Sequence, residues 1–219
     1  MILSCLVLTP PSLQAQEIKA KTIFKDTTVV KYWPNGVPKS VSIYDDAGLL
    51  EGPRFEYRQV GSIKKMEYYH KGILNGKAIK IGNRGKIREE SEYLNGNLSG
   101  AFTKYYDNGK KQEMATYQEG LKVGKSIWYY TNGNMSTQLT YQANNLEGEA
   151  KSYYKSGSVK SIYSYEENLR QGEYKEFHEN GKLKVLGAYK NDKKHGKWIE
   201  YNEQEEEIKV EKYRKGELK

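Results

Sequence analysis

The side chains able to serve as nucleophile, base or metal ligand are few and far apart in this sequence. Cys5 is the only cysteine, and the histidines are His70, His178 and His195. A Ser–His–Asp relay or a zinc site needs its members within a few ångströms of one another. Glu89-Glu90 and Glu166-Glu167 offer carboxylate pairs of the kind that hydrolyse glycosidic bonds. In an extended chain, however, adjacent residues point to opposite faces, so neither run is a dyad by itself. No glycine cluster opens a helix as a phosphate-binding loop must; the glycines read as recurring between extended segments. The expectation is a protein with no catalytic residues, no metal site and no cofactor.

The elements that carry these residues follow from a repeat. Gly52, Gly76, Gly100, Gly124, Gly148, Gly172 and Gly196 are spaced 24 apart without a slip. Counting from each glycine, position +17 is always tyrosine: Tyr69, Tyr93, Tyr117, Tyr141, Tyr165, Tyr189 and Tyr213. Position +5 is aromatic in all copies but one, where it is Ile81. Position +9 is glycine except at Glu205, and +20 is always Gly, Asn or Asp. A degenerate copy over 27–51 puts Tyr32, Gly36 and Tyr44 in matching places.

Each copy reads as a β-hairpin, with strands over about +1 to +6 and +11 to +18. The Asn108-Gly109 type of step between them is a strong hairpin signal, because those residues tolerate φ > 0. The turn length, two residues or a bulged three, stays open. The set at +20 marks a second turn residue of left-handed conformation. The expected fold is all-β: an elongated, largely single-layered antiparallel meander of seven to eight hairpins, about fifteen strands, occupying 27–219 as one repeat domain. Each hairpin leans on its neighbours, since an isolated one is marginal.

Composition agrees. Only 37% of the chain is apolar, below the usual share of about 45–50%, yet 20 tyrosines and 5 prolines do not suit a disordered chain. No stretch approaches the roughly 18 apolar residues of a membrane span. The net charge of +8 is spread among alternating Lys and Glu, where nucleic-acid binding wants it clustered on one face. The repeat also separates the histidines: His70 and His178 lie five copies apart, roughly 50 Å. Of the glutamates at +4 (Glu56, Glu176, Glu200), only the last two occupy neighbouring copies, about 10 Å apart.

The pattern Gly-x-x-x-x-Tyr-Tyr-x-Asn-Gly-Lys followed by Tyr-x-x-Gly-x-x-x-Gly, clearest over Gly100–Gly124, resembles the variant MORN repeats of bacterial proteins often labelled YwqK-type antitoxin components. The resemblance covers roughly 27–219. It implies an elongated β-hairpin sheet and a binding or scaffold role without chemistry of its own. Ile127-Trp128-Tyr129-Tyr130 with Gly133–Thr137 is also similar, in one copy only, to choline- or glucan-binding cell-wall repeats.

Binding residues are sought where copies differ. Position +6 holds Tyr106, Tyr130 and Tyr154 in three consecutive copies, on the face opposite the +5 aromatics, and Trp128 shares that face. Such a ladder suits sugar rings, lipid headgroups or an extended partner; covering the middle of a thin sheet is the competing reading.

At the start, Ile2–Leu8 and Leu13-Gln14-Ala15 look like the apolar region and cleavage site of a secretory signal over 1–15, cut after Ala15 and followed by a linker over 16–26. A rival takes Ile2-Leu3-Ser4-Cys5 as a lipidation site. Cleavage after Ala15 leaves no cysteine and hence no disulfide. The expectation is an exported, non-enzymatic repeat scaffold binding a cell-envelope component (glycan or lipid headgroup) or a protein partner. An intracellular antitoxin-like protein is the alternative, and a wall-glycan hydrolase a remote one. No nucleic acid and no transmembrane span are expected, and exposed sheet edges allow edge-to-edge self-association.

Overall fold

The structure, a computed structural model, describes residues 18–21 and 27–219. The expected leader, with Cys5 and the cut after Ala15, lies outside the described residues, as does the expected linker apart from 18–21. Every regular element among the described residues is a strand. In chain order these are β1 (Ile18–Lys21), β2 (Thr27–Tyr32), β3 (Pro38–Tyr44), β4 (Gly52–Tyr57), β5 (Ile63–His70), β6 (Ile73–Ile81) and β7 (Ile87–Leu94). Next come β8 (Asn97–Tyr105), β9 (Lys111–Gln118), β10 (Leu121–Tyr129), β11 (Met135–Gln142), β12 (Asn145–Leu146) and β13 (Gly148–Tyr153). The last are β14 (Val159–Glu166), β15 (Leu169–Phe177), β16 (Leu183–Lys190), β17 (Lys193–Tyr201), β18 (Glu207–Arg214) and β19 (Glu217–Leu218). Strands pair antiparallel in sequence order, and β12 and β13 are one run along β11 interrupted at Glu147. The result is a single open meander of nineteen strands among the described residues, more than the roughly fifteen expected: eight hairpins supply sixteen, and β1 and the short β12 and β19 are the others.

The second strand of each copy falls where the tyrosine phase places it, at +11 to +18 (β7, β9, β16). The first does not. It begins at −3 and ends at +5, as in β8 and β10. The repeat glycine therefore lies inside a strand, not between strands. It forms a bulge: Ser91 pairs with Phe102 and Tyr93 with Leu98, so Ser99, Gly100 and Ala101 together face Glu92. Gly100 takes φ 116° there, a conformation costly to any residue with a Cβ.

The two turn types are also resolved. After +18 comes a two-residue turn in which both residues have positive φ, for example Asn95 at 51° and Gly96 at 82°, flanked by the Leu94–Asn97 pair. This mirror-image turn matches the strand twist. The +8/+9 step, read as the strongest hairpin signal, instead belongs to a three-residue loop: Gly109 N–H donates to Tyr106 O at 2.9 Å and Tyr106 N–H to Lys110 O at 2.8 Å. An Asn-Gly step satisfies either geometry, which is why composition alone left the loop length open.

Both edges of the sheet are laced between copies. At the two-residue turns, the +20 amide donates to the carbonyl 22 residues earlier, as in Gly96→Leu74 and Gly120→Leu98, both 2.8 Å. At the three-residue loops the asparagine at +8 closes its own loop and reaches the next one. Asn108 Oδ1 accepts from Lys110 N–H at 2.9 Å, while its amide donates to Thr131 O at 2.9 Å. Asn132 does the same, with Asn134 N–H and Lys155 O.

Candidate functional site

Register assigns the side chains to two faces, because directly paired residues share a face. Positions 0, +2, +4, +13, +15 and +17 form a front face; +1, +3, +5, +14 and +16 form the back. Of the buried side chains, only Tyr153 belongs to the back. The front carries three rows running across the strands. In the first, each +17 tyrosine pairs with the residue at −2 of the next copy, so Tyr93 meets Leu98, Tyr117 meets Lys122, and Tyr189 meets Lys194. In the second, +2 opposes +15, in four copies with a large residue against a small one, as in Phe102 with Ala115, Tyr163 with Ala150 and Tyr174 with Gly187. A Cβ at Gly187 would run into the ring of Trp198. The third pairs +4 with +13.

The sequence-derived candidates separate on this map. The hydroxyls of Tyr106, Tyr130 and Tyr154 donate to the +5 carbonyl of the next copy: Tyr129 O at 2.6 Å, Tyr153 O at 2.8 Å and Phe177 O at 2.7 Å. Trp33 and His178 occupy the same phase and reach Tyr57 O and Tyr201 O. Position +6 is thus a staple between copies, and His178 works as one of its members, not as an exposed turn residue. Trp128 stands one column inward, tilted on Tyr141 at 6.5 Å. Lys122 lies over the rings of Tyr117, Trp128 and Tyr141 at 5.0 to 5.6 Å and pairs with Glu113 at 2.8 Å. His70 pairs with Glu51 at 3.0 Å, far from the other histidines in sequence and phase. The Glu89-Glu90 run divides as alternation requires: Glu89 takes Lys80 at 2.7 Å on the front, Glu90 takes the Tyr105 hydroxyl on the back.

The densest cluster of the front face lies where position +6 gave no hint. Trp198 stacks on Tyr174 (5.4 Å, 27°) and meets Tyr189 edge-on at 5.1 Å and Tyr213 at 6.3 Å. Its indole N–H donates to Ala188 O at 3.2 Å. Lys194 covers it at 4.3 Å. Beside this cluster runs an open groove of about 280 Å³ whose lining includes Tyr174, Tyr189, Glu176, Glu200, Val185 and Glu211. Glu176, although burial works against its charge, is held below the usual carboxylate range by hydrogen bonds from Lys184 and Tyr174. Lys209 and then Tyr213 do the same for Glu211. Burial first, with the neighbouring Tyr165 second, pushes Tyr163 up to about 12. Glu176 and Glu200, which occupy the +4 phase of neighbouring copies, share this groove. The sequence signal for it was two successive aromatics at +2 in the last two copies (Tyr174, Trp198), where Phe102 is the lone aromatic among Arg54, Ala78, Ser126 and Ala150 in the earlier ones.

Four consecutive stretches, 98–119, 122–143, 146–167 and 170–191, match the family model described as MORN repeat variant. No curated protein matches the chain. Each matched stretch runs from −2 to +19, so the family unit is the hairpin closed by the three-residue loop. Such repeats make scaffolds for binding. No helix among the described residues is long and apolar enough to cross a membrane. Over residues 98–191 the chain thus carries four successive repeats of the MORN repeat variant family, in phase with the copies before and after them.

Proposed function

We propose that this protein is an exported, non-enzymatic scaffold that holds a cell-envelope component or a protein partner along the front face of its sheet. The continuity of that face carries the reading. Every copy adds one tyrosine at +17, about 10 Å from the last, to an unbroken row flanked by the +2/+15 and +4/+13 rows. An extended partner lying across the strands would meet the same chemistry repeatedly, which is how repeat proteins gather affinity from weak units. The staples at both edges hold the face in one register. The apolar Ile2–Leu8 run and the Leu13-Gln14-Ala15 step support export.

The test is site-specific photo-crosslinking in the native cell, from front-face Thr137 and Lys209 and from back-face Lys175 and Lys197, with fractionation of the same cells. Adducts from the front positions, in the envelope fraction and on a chain starting at Gln16, are expected. Adducts from the back alone would overturn the proposed face. A cytoplasmic chain with Met1 intact would overturn export and favour the antitoxin-like alternative.

A further inference from the structure

The +4/+13 row of the front face behaves as a charge lattice in its first half. Glu56 has Lys65 as its row neighbour, Lys65 faces Lys80, Glu89 lies between Lys80 and Lys104, and Glu113 follows Lys104. The lattice breaks near the other end. There Glu176 and Glu200 flank Val185, one strand away on either side. Glu176 is satisfied by Lys184 at 2.9 Å and by the Tyr174 hydroxyl at 3.0 Å. Among the described residues Glu200 has no hydrogen bond or ion pair, and its register partner Lys209 turns to Glu211 at 2.7 Å. Of the groove's three glutamates, Glu176 is paired with Lys184 and Glu211 with Lys209, while Lys194 lies over the Trp198 and Tyr213 rings, so Glu200 is the carboxylate that faces the groove without a direct partner among the described residues. Of the aromatic residues beside it, Tyr174 and Trp198 are not required by the fold, since Ala78, Ser126 and Ala150 close the same +2 position in other copies.

Resting on the reading of the front face as a binding surface, we infer that this groove receives a basic side chain, arginine or lysine, presented by a protein partner. The aliphatic stem lies over Val185, the cationic head sits between Glu200 and Glu176, and Tyr174 and Tyr189 form the wall. Glu176 and Glu200 stand on alternate strands, about 10 Å apart along the sheet, so a head group above Val185 is within reach of both. Planar guanidinium fits best, having donors for two carboxylates and a face for the aromatic wall.

The experiment is an NMR titration of the full chain with N-acetyl-arginine amide and N-acetyl-lysine amide. N-acetyl-norleucine amide and N-acetylglucosamine serve as uncharged controls. Saturable shifts at the Val185 methyls and the Trp198 indole are expected with the two cations, tighter for arginine and weakened by salt. Glu200→Gln should weaken arginine binding at least tenfold, while Glu149→Gln on the back face leaves it unchanged. An unchanged thermal midpoint for Glu200→Gln shows that the fold is intact. Absence of shifts with both cations, equal shifts with either control, or full binding by Glu200→Gln each overturns the inference. Loss of arginine binding with front-face cross-links retained sinks the groove and leaves the scaffold reading standing. Binding without front-face cross-links does the reverse.

Discussion

Ser126 is fully buried, and its hydroxyl has no partner among the described residues. It sits at +2 opposite Leu139, in the row where large faces small. The next copy closes the same position with Ala150, and the copy two before with Ala78. A desolvated hydroxyl without a hydrogen bond is destabilising, and no packing is lost by removing it. Ser126→Ala should therefore stabilise the fold by about 1 kcal/mol, read as a higher urea midpoint at unchanged slope. A lower midpoint would show that the hydroxyl is satisfied after all. The same row explains why Trp198 is tolerated: Gly187 leaves room for its ring, and burying a side chain of that kind contributes roughly 2–3 kcal/mol. One position thus shifts from alanine to tryptophan along the chain without a change of backbone.

Turns decide the elements. In every copy from Gly52 on, both residues of the two-residue turn have positive φ, yet the first is rarely a residue that prefers it: Lys71, Glu119, Ala143, Glu167 and Lys215 all adopt it. Ala143, at φ 48°, has no polar side chain to offset the strain. Ala143→Gly should raise stability by about 0.5–1 kcal/mol, the left-handed penalty of roughly 1–2 kcal/mol less the extra entropy of glycine in the unfolded chain. Denaturant midpoints of the two proteins test it, and no gain would mean that the turn relaxes when occupied by alanine. These turns also mark what was legible beforehand. The 24-residue phase, the +11 to +18 strand and the left-handed residue at +20 could be read from residue types. The strained +19 residue could not, because Lys, Glu and Ala carry no such signature. Nor could the strand start at −3, because a glycine that breaks a strand and one that bulges it look alike. The groove escaped for a related reason. Tyr174, Trp198 and Glu200 come together only once register fixes which positions share a face, whereas Tyr106, Tyr130 and Tyr154 caught attention by their regularity and turned out to staple one copy to the next.

Over the whole molecule, nearly every contact between copies joins fixed phases: +6 to the next +5 carbonyl, +8 to the next +7 carbonyl, and +20 to the carbonyl 22 residues back. Stability is then a sum over copies and their interfaces, and the number of copies is not itself a requirement of the fold. Deleting 148–171 removes one full period and joins Glu147 to Gly172. Tyr130 would then donate to Phe177 O in place of Tyr153 O, and the Asp192 amide to Leu146 O in place of Arg170 O, each in the same phase. The shortened chain should keep its β-sheet circular dichroism and unfold cooperatively, with a urea slope lower by roughly an eighth, in proportion to the surface lost. Deleting 148–167 instead removes four residues fewer and puts every later copy out of phase. It would place loop residues against strand carbonyls and move the front-face rows out of line. That variant should unfold at markedly lower urea or split into two transitions, one for each side of the junction. If both deletions were equally damaging, stability would depend on long-range features of the sheet, and the additive picture would fail. If the in-phase deletion is tolerated, the front face can lengthen or shorten by whole copies, about 10 Å at a time, to suit the partner it spans.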